Sequence, residues 1–76
     1  MLTLDQEQAQ LVKAELDIAA GQQRVATLEQ RIREMRLKGR DTRPAEELLA
    51  TFQATLAQWH AHRREILRSI RRLESP

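Results

Sequence analysis

A chain of 76 residues with no cysteine and a net charge of +2 has room for one domain, offers no disulfide or thiol chemistry, and lacks the cationic excess that would by itself call for nucleic acid. Hydrophobic residues at 41%, charged residues at 32% and only two glycines and two prolines argue against a disordered chain and for long helices. No run approaches the ~20 apolar residues of a membrane span, and no basic stretch leads into an apolar one at the N-terminus, so the expected setting is the cytoplasm, away from membranes.

Thr3 and Gln6 have the spacing of a capping box, which predicts a helix from about Leu4 to Lys38. At ~1.5 Å per residue this is a rod roughly 50 Å long. Leu4, Leu11, Ile18, Val25 and Ile32 recur at one heptad position, and Ala14, Gly21, Leu28 and Met35 at the other. The alternation by three and four residues is that of a coiled-coil seam. A second stripe, Ala9, Val12, Leu16 and Ala19, runs along a different face.

Gly39 suits the left-handed position just past a helix, and Lys38 complements the negative end of the helix dipole. Asp41 or Thr42 can cap a second helix, Pro44 is tolerated in its first turn, and Glu46 and Glu47 favour its positive end. The second helix is expected over about 43–74. Its seam reads Ala45, Leu49, Phe52, Leu56, Trp59, Ile66, Ile70 and Leu73. Ala50, Ala54, Ala57 and Ala61 form an outer ridge that gives way to Arg64, Arg68 and Arg71. Alanine is a good helix former on a solvated face, and it also lets two backbones approach closely.

Folding the chain about Thr42 pairs Met35 with Leu49, Ile32 with Phe52, Leu28 with Leu56, Val25 with Trp59, Ile18 with Ile66, Ala14 with Ile70 and Leu11 with Leu73. One turn thus satisfies both heptads, and the predicted fold is all-α: a single antiparallel two-helix coiled-coil hairpin, residues 1–76. Gly21 faces Arg63. A seam glycine costs about 1 kcal/mol relative to alanine. The expectation is that Arg63 lays its stem over the glycine to reach Asp17, with Trp59 nearby; the same gap has room for a small ligand.

His60 and His62, two apart, point to different sides of a helix and do not make a metal site. They are expected beside Gln22 and Arg24. Glu46 and Glu47 are explained by the helix dipole, and a narrow hairpin has no cleft to desolvate catalytic carboxylates. With no phosphate loop and no nucleophile beside a base, neither an enzyme nor a cofactor is expected. The basic cluster of Arg63, Arg64, Arg68, Arg71 and Arg72 is expected alongside Asp5, Glu7, Glu15 and Asp17.

From about Ala20 to Leu73 the chain carries Gly21 with Arg24 and Val25, then Gly39-Arg40-Asp41-Thr42, then Ala45 and Leu48-Leu49-Ala50-Thr51-Phe52, and finally His62-Arg63 with Ile66-Leu67. In these residues it resembles a group of small helical-hairpin proteins of alphaproteobacteria, rhizobial ones especially. The resemblance implies a bacterial, cytoplasmic hairpin and brings no activity with it. In architecture alone, paired hairpins are similar to the Rop-type four-helix bundle of plasmid RNA-binding proteins, a likeness that does not carry function.

A hairpin buries one seam, a thin core for 76 residues. The function expected is therefore a noncatalytic interaction or structural module, a homodimer in which Ala9, Val12, Leu16, Ala19, Ala50, Ala54, Ala57 and Ala61 receive a second hairpin. The alternative is a nucleic-acid-binding four-helix bundle using Arg64, Arg68, Arg71 and Arg72. A third reading has the extra stripes receive a helix from another protein.

Overall fold

The computed structural model describes residues 2–75 as two antiparallel helices, α1 (Leu4–Leu37) and α2 (Arg43–Glu74). They form a rod of 60 × 16 × 15 Å. The capping box that opens α1 is present in full. The Gln6 backbone N–H donates to Thr3 Oγ1 at 3.2 Å, and the Thr3 N–H donates to Gln6 Oε1 at 3.0 Å, so two groups a helix start leaves unpaired are satisfied.

α1 ends one residue before the expected Lys38, which becomes its cap. Gly39 takes a φ of 68°, the Gly39 N–H donates to the Arg36 carbonyl at 3.1 Å, and the Arg40 N–H reaches back to the Met35 carbonyl at 2.9 Å. This paired closure is a Schellman motif, and it needs the left-handed residue that glycine supplies without strain. Arg36 of α1 and Glu46 of α2 then pair across the turn.

Thr42 occupies the cap position of α2 without a side-chain bond. Asp41 does the capping: its Oδ1 accepts from the Arg43 N–H at 3.1 Å, and its carboxylate takes two further bonds from the Arg43 guanidinium at 3.1 Å. The Arg43 side chain, and after it the Arg43 backbone N–H, hold the Asp41 carboxyl below its ordinary pKa. A lowered folded-state pKa makes its contribution complete above the ordinary aspartate value and removes it as pH falls through the lowered one. Asp41→Ala should lower the melting temperature at neutral pH. Asp41→Asn, which keeps an acceptor for the Arg43 N–H, should lower it less and flatten its fall in acid; circular-dichroism melts from acid to neutral pH check both.

The seam falls where the two heptads place it. Ile32 and Ile66, at 3% and 4% exposure, are the most covered of the buried apolar residues, with Ala14, Ile18, Leu28 and Ile70 next. Ala14, Ile66 and Ile70 form one cluster against which Leu4 and Leu11 pack. Leu11, Val25, Met35, Leu49, Phe52, Leu56 and Trp59 are half-buried. Leu73 departs from the expected seam: it is 42% exposed. It lies in the last turn of α2, which ends at Glu74, so no following turn of its own helix covers it. Glu7 itself, at the heptad position of Ala14, Gly21 and Leu28, is buried.

Gly21 is buried for a different reason from the one expected. A Cβ there would lie 2.9 Å from Trp59 Cζ3 and 3.2 Å from Leu56 Cδ1. The glycine makes room for an indole ring, which seats against the backbone of α1. Arg63 reaches instead to Glu15, at 3.5 Å, while Asp17 pairs with Lys13 at 3.4 Å.

Candidate interaction surface

A two-helix rod has four sides: the two outer backs and the two broad faces that flank the seam. The stripes expected to receive a second hairpin lie on the backs. Ala9, Val12, Leu16 and Ala19 are all exposed, as are Ala50, Ala54, Ala57 and Ala61, and Val12 and Leu16 show 59% and 66% of their surface. Helical spacing puts each stripe opposite its own helix's seam, so the two look away from each other. One second hairpin can cover at most one of them.

The two broad faces differ in chemistry. On one, Glu15, Gln22, His60 and Arg63 line one groove and Glu29, Arg33, Arg36 and Glu46 another. Both ion pairs that join α1 to α2, Arg63 to Glu15 and Arg36 to Glu46, lie here, and they latch the helices together along a charged, solvated side. Such exposed pairs are individually weak, each within about 1 kcal/mol.

On the other face no ion pair spans the seam among the described residues. Two adjoining grooves of about 200 and 340 Å³ run between Arg24 and Phe52, which line both. Gly21, Thr51, Thr55 and Trp59 complete the first, and Thr27, Leu28, Arg31 and Leu48 belong to the second. The chain's single phenylalanine and single tryptophan are thus half-buried on one side of the molecule, beside a Leu48 that is 47% exposed. Every charged residue lining these grooves comes from α1; the edge that α2 supplies is uncharged.

The seam reading of the sequence passed over Leu48, Thr51, Thr55 and Arg24. A signal was present: Leu48, Phe52, Thr55 and Trp59 recur at four-three-four spacing, a stripe turned slightly from the seam. His60 does share a groove with Gln22. His62 lies with Lys13, Ala14 and Asp17 rather than with Arg24.

Arg64, Arg68, Arg71 and Arg72 are exposed toward the C-terminal end of α2. Arg68 is paired with Glu65. Only Arg63 of the wider cluster meets an acid of α1, so the arginines largely project from the rod instead of knitting it together. No helix among the described residues is long and apolar enough to cross a membrane. Comparison of the chain with protein-family models, with curated proteins and with solved structures finds no match.

Proposed function

We propose that the chain is a noncatalytic interaction module that self-associates, two hairpins completing a dimeric four-helix bundle. The observation that carries this reading is surface area. A compact monomer of 8.9 kDa is expected to expose about 4,800 Å². The hairpin exposes 5937 Å², a surplus of about 1,100 Å², against the ~800 Å² that each partner buries in a standard stable interface. Within the rod, no side chain among the described residues is completely buried, and a core this thin gains most from a partner that closes it.

The expected result is a stable multiple of the 8.9 kDa chain mass when absolute mass is followed by light scattering across a wide concentration range. A chain that stays monomeric at every concentration overturns the reading.

A further inference from the structure

We propose that the occupant of the Phe52–Trp59 face is a second copy of this chain, docked with its turn at the same end and with α1 of each copy lying on α2 of the other. This rests on the self-association proposed above and adds to it the face, the orientation and the residues that meet.

Three observations select the face. It holds both aromatics and the half-exposed Leu48, together with the two apolar-floored grooves beside Arg24. The opposite face is already latched by Arg63–Glu15 and Arg36–Glu46, so docking there would strip water from two ion pairs, a cost that burial rarely returns. The surplus area of the hairpin also matches what one broad face of a rod this size can bury.

Charge selects the orientation. Arg24 and Arg31 stand along the α1 edge of the grooves, while Leu48, Thr51 and Thr55 make the α2 edge neutral. An end-for-end dimer centred on these grooves would lay α1 on α1 and set Arg24 of one copy against Arg31 of the other. With both turns at one end, the two-fold axis runs along the rod and each cationic edge meets a neutral, aromatic one. Arg24 then comes level with the second copy's Trp59 and Arg31 with its Phe52, where the ring faces attract a guanidinium. All four neighbouring helix contacts are antiparallel in this arrangement, so the helix dipoles also oppose one another favourably.

The test uses the absence of cysteine from the chain. Thr27→Cys and Thr55→Cys chains, mixed and treated with a short bis-maleimide, should give the mixed cross-linked dimer and little of either homodimer. Predominant cross-linking of Thr27→Cys to itself overturns the orientation. Leu48→Glu should raise the dimer dissociation constant about a hundredfold or more with helicity unchanged, because Leu48 is 47% exposed in the single hairpin. Thr51→Glu, at another exposed position, should do the same, and it decides the matter if the first variant loses helicity. A dimer that survives the charge at Thr51 and instead cross-links through Val12→Cys sinks this face while leaving self-association intact. A wild-type monomer removes self-association and this face together.

Discussion

Ile66→Ala should cost the hairpin about 2–5 kcal/mol. Ile66 is 4% exposed and belongs to the cluster with Ala14 and Ile70, against which Leu4 and Leu11 pack. Truncation would leave a void lined by side chains on two rigid helices, which cannot collapse into it. A chain of 76 residues has roughly 4–11 kcal/mol of stability in all, so this one change removes a large share. A thermal melt at fixed chain concentration should show the midpoint falling by about 10 °C or more. Leu16→Ala is the control: Leu16 is 66% exposed on the back of α1, and its loss should move the folding free energy by no more than about 0.5 kcal/mol. Equal effects at the two positions would mean that the cluster is not the core.

Gly21→Ala should destabilise the hairpin even though alanine is the better helix former. The propensity gain is about 1 kcal/mol, but the added methyl would lie 2.9 Å from Trp59 Cζ3 and 3.2 Å from Leu56 Cδ1. An indole is stiff, and overpacking of this kind costs about 1–3 kcal/mol. Trp59→Ala alone should cost about 3 kcal/mol, the low end for a large aromatic because the ring is only half-buried. In that background the remaining close neighbour is Leu56 Cδ1, the end of a flexible side chain that can shift by the few tenths of an ångström needed, and Gly21→Ala should become stabilising by up to about 1 kcal/mol. The change of sign is the diagnostic result of a double-mutant cycle read by thermal or urea unfolding. If alanine stabilises both backgrounds alike, the ring is not seated on the glycine.

The hairpin was legible because one turn had to satisfy two long heptads at once, and because the capping box and Gly39 marked ends that the structure keeps within a residue. The heptad also named Gly21 as the odd member of the seam. It could not say what fills the space, since a glycine admits any neighbour long enough to reach it. Arg63 and Trp59 both qualified, and the ring won because it buries apolar surface where the guanidinium would have to leave water.

The pairing of Arg63 with Glu15 rather than Asp17 has a similar origin. Both acids flank the seam, but on opposite broad faces: Glu15 lines a groove with Arg63, and Asp17 lines one with Lys13 and His62. A heptad pattern says which residues turn toward the partner helix. It does not rank the two flanks, and so the contrast between a latched face and an aromatic one lay outside it. Leu73 fell short for want of cover, since the periodic positions continue to the end of α2 while the helix itself stops at Glu74 and offers no next turn to pack over it.

The position of the buried cluster has a consequence for how the chain reaches its fold. Ala14, Ile66 and Ile70 lie in the half of the rod away from Gly39, so joining Ala14 to Ile70 directly from the unfolded chain would close a far longer loop than the layers beside the turn do, at a greater entropic cost. Once the layers beside the Schellman turn are formed, each next layer is a short-range event, and the cluster is reached by zippering. The buried core is then assembled in order, Ile32 and Leu28 early and the Ala14–Ile70 cluster late. In kinetic terms Ile66 should be a position of low φ: its truncation is expected to accelerate unfolding more than it slows folding, which a chevron plot of Ile66→Ala would check. On this route the turn governs how fast the hairpin forms, and the layers beyond it add to how long it lasts.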